Sequence, residues 1–189
     1  MRAFALVSGA GPLFHDGMRA QRIAFLGTSG AGKTTVGRAL AARLDAPFVE
    51  CDAIRHKANW VQASAEELCA ALEARIAAHE RWVIDGTLQS RIGDYISGRA
   101  DLLVWLDLPL LVKLARAGRR SWRRLRTGEE LWNGNRETWR DAFFSRDSVV
   151  RYAIRAHFRD RRELPRPEHA HKTLRLRTVA EVERWLATF

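Results

Sequence analysis

The sequence predicts an α/β protein in which helices wrap a parallel sheet, and two observations carry that reading. From Gln21 onward, short and nearly continuous apolar runs alternate with longer stretches of helical period, the pattern of strands buried on both faces and joined by crossover helices. The first of those runs passes directly through a glycine-rich turn into a helical stretch, over residues 22–44. At 189 residues the chain suits one domain with a single core.

Along the chain, the run at 22–26 is the first strand and the amphipathic stretch 33–44 the first helix. Residues 48–51 form the second strand, 65–79 a helix, 82–84 the third strand and 89–96 a further helix. Residues 102–106 are wholly apolar and make a central strand, with Pro109 marking the entry to a helix over 110–125. The pattern then breaks at Thr127, Gly128, Asn133, Gly134 and Asn135, so residues 126–145 are expected to be a mobile loop. A helix over 146–162 follows, then a connector carrying Pro165 and Pro167. The strand 172–175 alternates polar and apolar residues, which suits a sheet edge. The last helix, 179–187, opens with Thr178 and Glu181 at capping-box spacing. Residues 1–20 read as a loose leader outside the domain at 21–189, with Met18 an alternative start and a short strand near Phe4 the other option.

Apolar residues are 47% and charged residues 29% of the chain, which excludes disordered and fibrous classes. No segment approaches the roughly 20 apolar residues needed to cross a bilayer, so no membrane partner is expected. Cys51 and Cys69 are too few for a disulfide framework and are expected as reduced thiols of a cytoplasmic protein. Lys plus Arg total 32 against 22 Asp plus Glu, a formal charge of +10 that favours polyanionic partners. The only lysines are Lys33, Lys57, Lys113 and Lys172; the other cations are arginines, whose planar forks grip phosphate, although codon bias yields the same count. No feature of the sequence speaks to oligomeric state.

Gly27, Thr28, Ser29, Gly30, Ala31, Gly32, Lys33 and Thr34 satisfy the Walker A pattern between a predicted strand and a predicted helix. Glycines let successive amides converge on phosphate oxygens at a helix N-terminus, where the dipole also favours an anion. This predicts a P-loop NTPase that binds ATP, with Lys33 on the β- and γ-phosphates, Thr34 on Mg²⁺ and Thr35 on the α-phosphate.

Ligands of doubly wound sheets collect at the carboxyl ends of strands, and two carboxylates stand there. Asp52 follows the second strand as a candidate acceptor-binding group and general base, with capping of the next turn as the alternative; Arg55 stands close behind it for a second anionic group. Asp85, with Gly86, leaves the third strand where a carboxylate holds Mg²⁺ through water, a role better suited to Asp85 than to Asp107, which is equally a helix cap. Arg91 is a candidate acceptor clamp or a solvated surface residue.

The stretch from Gly27 to Asp52 resembles shikimate and gluconate kinases as well as adenylate kinases. His56-Lys57-Ala58-Asn59-Trp60, Asp85-Gly86, residues 105–109 and Leu131-Trp132-Asn133-Gly134-Asn135-Arg136-Glu137 together resemble the adenylate-kinase-like proteins known as DNA topology modulation proteins (FlaR-related), over residues 22–158. That resemblance implies a nucleoside-monophosphate-kinase-like fold, with a five-stranded parallel sheet and a lid. Thr87, Leu88 and Gln89 depart from the Asp-Gly-Phe-Pro-Arg motif of adenylate kinases, and Lys57-Ala58 from a Gly-Pro or Pro-Gly pair.

Arg116, Arg120, Arg123 and Arg124 recur at helical spacing, which predicts an arginine-rich lid face. Arg116 is assigned to nucleotide binding, Arg120, Arg124 and Arg136 to charge stabilisation at the transferred phosphoryl, and Arg146, with Arg140, to closing the clamp. Arg151, Arg155, Arg159 and Arg162 read mostly as a solvated stripe. The expected function is ATP- and Mg²⁺-dependent phosphoryl transfer to a small-molecule acceptor, a nucleotide or nucleoside among the options. The alternative is a nucleic-acid-associated NTPase or nucleic-acid kinase that uses the basic surface, and its weakness is that the tryptophans form no evident stacking platform.

Overall fold

The computed structural model describes residues 20–189 apart from residues 87, 93, 146 and 147. The leader reading therefore lies, but for Ala20, outside the described residues, as does the assignment of Arg146. Strands β1 (Arg22–Leu26), β2 (Phe48–Glu50), β3 (Trp82–Asp85), β4 (Leu102–Leu106) and β5 (Thr173–Leu176) form one parallel sheet in the order β2-β3-β1-β4-β5. The class, the strand number and the edge position of β5 follow the sequence reading.

The helices are α1 (Lys33–Leu44), α2 (Cys51–Arg55), α3 (Ala65–Ile76), α4 (Gln89–Ile92), α5 (Tyr95–Arg99), α6 (Leu110–Thr127), α7 (Val149–Glu163) and α8 (Val179–Leu186). The sheet separates two cores because neighbouring residues of a strand face opposite ways. Leu102, Val104 and Leu106 pack with Leu40, Val182 and Trp185, whereas Leu103 and Trp105 pack with Leu72, Ile76 and Ile96. Helix α3 starts on a complete capping box, in which Ser64 and Glu67 each accept the other's backbone N–H. At α8 Thr178 caps Glu181, while the Glu181 carboxylate accepts from Arg177 instead of closing a box.

Three boundaries differ from expectation in ways that matter for the site. β2 ends at Glu50, and Cys51 opens a helical turn, so Asp52 stands in the first turn of α2. The single helix expected over 89–96 is two short ones. Residues 126–145 contain ordered pieces: the end of α6, a 3₁₀ turn at Trp132–Gly134 and a π-helical turn at Arg140–Phe144.

Asp107 is neither a helix cap nor a Mg²⁺-holding acid. The helix N-cap is Pro109, without a side-chain bond. The Asp107 carboxylate is buried and accepts from Arg161 Nε (3.0 Å) and from Arg175 Nε (3.0 Å) and Nη2 (2.5 Å), pinning α7 and β5 to the end of β4. Burial alone would raise its pKa, and the arginine hydrogen bonds outweigh burial and hold it below 3.8. A carboxyl more acidic in the folded state stabilises the fold above its ordinary pKa and loses that contribution as pH falls through the lowered value. Asp107→Asn is therefore expected to lower stability by about 3 kcal/mol at neutral pH in urea unfolding, and to lessen the drop that the wild type shows below about pH 4. A variant as stable as the wild type would dismiss Asp107 as the pin.

Candidate functional site

The loop between β1 and α1 has its conformation imposed by what lies above it. Gly30 has a φ of +80°, and a Cβ there would sit 2.1 Å from the Lys113 carbonyl of α6; one on Gly27, at φ +130°, would sit 2.9 Å from the Leu106 carbonyl. The loop is thus clamped between the end of β4 and α6. Ala31 N–H closes it onto the Thr28 carbonyl at 3.2 Å. Helix α1 then begins at Gly32 with no side-chain cap and no acidic residue in its first turn, which leaves a positive helix end open to an anion.

Lys33, Thr34 and Asp85 meet at that end. The Lys33 ammonium lies 3.5 Å from Asp85 Oδ1, and the Thr34 hydroxyl donates to Asp85 Oδ2. Asp85 closes β3, where it is in register with Phe25 of β1 and Glu50 of β2, and only 7% of it is exposed. Burial pulls the Lys33 pKa down, but the charges of Asp85 and Asp52 hold it above its usual value, so the ammonium stays charged. Beside them Cys51 donates to the Gly86 carbonyl at 3.3 Å, and burial, followed by the charge of Asp85, pushes its thiol well up.

Across a cleft of about 1420 Å³ stands Asp52, exposed, its carboxylate with no hydrogen bond or ion pair among the described residues. Its charge reaches Lys33, His56 and Arg120. The cap alternative for Asp52 has no side-chain bond behind it, because the N-cap of α2 is Glu50. Arg55 lines the same wall, with Nε held by Gln62 Oε1 at 2.8 Å. Since Gln62 thereby presents its amide nitrogen to His56 Nδ1 at 3.0 Å, that ring nitrogen accepts and the imidazole is neutral. Burial lowers the pKa of His56, in keeping with this.

Helix α6 forms the cleft's third wall. Arg116, Arg120 and Arg124, at steps of four, line it, and Arg120 Nη2 donates to Ser29 of the loop at 2.6 Å. Burial and the neighbouring Arg124 lower the pKa of Arg120. Glu137 is a counter-charge to this face: it accepts from Ser121 at 2.6 Å and lies 3.8 Å from Arg124. Arg120 Nε and Glu137 Oε2 are buried without a hydrogen-bond partner, so part of this wall is left for something else to satisfy.

Two loops with the same geometry close the far end of the cleft. Residues 56–62 and 130–136 are each pinched by one antiparallel bridge, His56↔Gln62 and Glu130↔Arg136. Each turns through an asparagine at φ +56°, Asn59 and Asn133, a conformation that asparagine tolerates. Asn135, 4% exposed, clasps them together. Its Oδ1 accepts from Trp60 N–H at 2.8 Å and its Nδ2 donates at 2.8 Å to both the Lys57 and Trp132 carbonyls. Asn133 Nδ2 adds bonds to the carbonyls of His56 (2.5 Å) and Ala53 (3.3 Å). The His56 ring stacks on Trp132 at 5.7 Å and meets Trp60 edge-on at 5.3 Å, and all three rings line the cleft.

The structure therefore brings Gly27 to Thr35, Asp52, Arg55, Asp85, Gly86, Arg116, Arg120 and Arg124 to one cleft. Arg91 and Arg136 stand outside it. Arg91 is exposed and donates to the Ala63 carbonyl at 3.0 Å, where it braces the acceptor loop from behind. Arg136 is two-thirds exposed beside Glu130, and Arg123 pairs outward with Glu129. Sequence reasoning missed Glu137, Trp132, Tyr152 and Asp160, which line the cleft. Burial raises the pKa of Asp160, while Arg159, at 3.1 Å, pulls it back. The signal for α7 was available: Val149, Tyr152, Asp160 and Glu163 share one helical face, and that face lines the cleft.

Residues 29–96 match the model of the shikimate kinase family. The structure is similar to a gluconokinase from Sinorhizobium meliloti 1021, with a TM-score of 0.52 and 22% identity over 87% of this chain and 88% of that one. It is also similar to a shikimate kinase from Acinetobacter baumannii in complex with shikimate (0.52, 21% identity, 86% and 87% covered). A shikimate kinase from Bacteroides thetaiotaomicron is similar as well (0.51, 20%, 88% and 94%). No curated protein matches the sequence significantly. The chain thus has the fold of the P-loop kinases, and its likeness here is to the shikimate and gluconate kinases, the more distant of the two resemblances in its sequence.

Asn135→Ala is expected to cost about 1–3 kcal/mol, because it strands the part-buried Trp60 N–H and Lys57 carbonyl, while the Trp132 carbonyl keeps the backbone N–H of residue 135. Amide exchange at Trp60, whose N–H bonds to Asn135, should accelerate at least about tenfold. Unchanged protection at Trp60 would show that the loops hold together without the clasp.

Proposed function

We propose that the chain is an ATP-dependent phosphotransferase that moves the γ-phosphoryl group of ATP to a small-molecule acceptor, with nucleotides and nucleosides the class best suited to its aromatic-walled acceptor end. The observation that carries this reading is the meeting of Lys33, Thr34 and Asp85 at an uncapped helix end that faces the unpartnered carboxylate of Asp52. A volume of about 1420 Å³ exceeds the roughly 300–1,000 Å³ of a single-ligand pocket and suits two substrates side by side.

Lys33 and the amides of the loop would hold the β- and γ-phosphates, with Arg116 beside Gly32 reaching the nucleotide. Arg120 and Arg124 gather charge on the transferred group, and the open valence at Arg120 Nε is available for it. Asp52 takes the proton of the acceptor hydroxyl, and Arg55 holds a second anionic group. The Thr34 hydroxyl and the Asp85 carboxylate, side by side, are the hard oxygen donors that suit Mg²⁺, directly or through water. When bound, Mg²⁺ supplies neutralisation of phosphoryl oxygen charge. In favour of the finer resemblance, to adenylate-kinase-like topology modulation proteins, two of the four stretches that carry it are the loops that the clasp joins. Free thiols at Cys51 and Cys69 fit a reducing, cytoplasmic setting. No helix among the described residues is long and apolar enough to cross a membrane.

A screen of nucleotides, nucleosides and hydroxylated acids for ADP formation identifies the acceptor. Lys33→Ala is expected to stay folded, with a lowered melting temperature because buried Asp85 loses its partner, and to lose ATP turnover by about a hundredfold or more; wild-type turnover in that variant ends the P-loop assignment. Asp52→Asn should retain Mg·ATP affinity by calorimetry while acceptor-dependent ADP formation falls about a hundredfold or more. Undiminished transfer would leave Asp52 a bystander.

A further inference from the structure

Helix α6 has a third face that the cleft does not use. Trp122 projects there, opposite the buried Lys113, Ala117 and Ser121 and away from Arg116, Arg120 and Arg124. It is 51% exposed, Trp139 is 46% exposed and Phe144 75%. The rings form a continuous row: Trp122 meets Trp139 edge-on at 5.1 Å, Trp139 meets Phe143 at 6.0 Å, and Phe143 meets Phe144 at 6.5 Å. Gly118, one turn before Trp122, leaves open space beside it. Arg119 and Arg126, both exposed, stand one turn to either side of Trp122 on the same face. A run of exposed aromatic rings on an otherwise well-packed domain marks a contact surface.

We propose that this outer face of the lid binds single-stranded nucleic acid. Charge selects the occupant. A second copy would bring the same arginines against these, and the chain as a whole carries +10, so self-association opposes its own field. An anionic membrane would satisfy the arginines and can seat aromatic rings, but an interfacial anchor lays down an extended apolar face in which Leu stands beside Trp and Phe. The exposed large aliphatic side chains among the described residues are Val61, in the acceptor loop, and Leu111, about 16 Å along α6 from Trp122. A single strand offers what the patch lacks on both counts: phosphates for the guanidinium groups and unpaired bases whose faces stack on rings irrespective of sequence. A duplex keeps its base faces covered. The surface is independent of the cleft chemistry, because the two lie on opposite sides of α6.

Fluorescence anisotropy with a labelled 20-nucleotide oligothymidine tests this, beside the matching duplex, phosphatidylserine vesicles and gel filtration of the full chain. Oligothymidine should bind more tightly than duplex and weaken as salt rises. The double variant Trp122→Ala, Trp139→Ala should lose about tenfold or more in affinity, with its melting temperature recorded alongside. Trp122→Phe, which keeps a ring, should stay within about threefold of wild type. Arg119→Gln with Arg126→Gln should reduce the salt slope by about 1.4. The proposal is overturned if the double alanine variant binds oligothymidine as wild type does, or if duplex binds as tightly as the single strand. It is equally overturned if the patch proves to hold vesicles or a second copy while oligothymidine does not bind.

Discussion

The cleft gathers Lys33, Arg55, Arg116, Arg120 and Arg124 around one space, and like charges at such distances repel unless something answers them. Carboxylates of the chain itself do so. Asp85 answers Lys33, Glu137 answers Arg124, and on the α7 wall of the cleft Asp160 answers Arg159. This internal pairing is the constraint on which the rest depends, since it offsets the repulsion of the cations where α6 lies so close to the loop that the Lys113 carbonyl rests over Gly30. The pairing is incomplete, as Arg120 Nε and Glu137 Oε2 show, and an anion that enters the cleft exchanges an internal counter-ion for an external one.

Helix α6 turns this electrostatic problem into geometry by giving each of its faces a different task. Its inner face is buried and polar: the Lys113 ammonium donates to His157 Nδ1 at 2.6 Å, and burial lowers the pKa of both groups. Its second face carries the cleft arginines, and its third the exposed tryptophan. The helix runs unbroken for 18 residues because no Pro interrupts residues 110–127, and Gly128, at φ +62°, ends it.

What could be read from the sequence was whatever depends on local order. The strands, the exact span of α1, the phosphate loop and the four-residue rhythm of Arg116, Arg120 and Arg124 are periodic or contiguous, and they stand where they were expected. What could not be read is pairing across the fold. Asp107 looks like a cap or a metal-holding acid until Arg161 and Arg175, 54 and 68 positions away, are seen to close on it. Arg91 and Arg136 sit in plausible places along the chain but are spent on the Ala63 carbonyl and on Glu130. The clasp of Asn135 is invisible for the same reason: its partners Lys57 and Trp60 are 78 and 75 positions distant.

That contrast bears on how the two halves of the cleft are held. The phosphate side is part of the sheet: Gly27 follows a buried strand, Asp85 ends another, and misplacing either means breaking ladder bonds and a packed core. The acceptor side has no such backing. Residues 56–62 and 130–136 keep their shape through one bridge each and a handful of side-chain hydrogen bonds, each worth about 1 kcal/mol net. Changes in these loops can therefore reshape that end of the cleft at smaller cost to the fold than changes on the sheet side. At about 20–22% identity, the likeness to a gluconokinase and to shikimate kinases is one of fold; in this chain the loop end of the cleft is held around two tryptophans, a neutral histidine and an asparagine clasp.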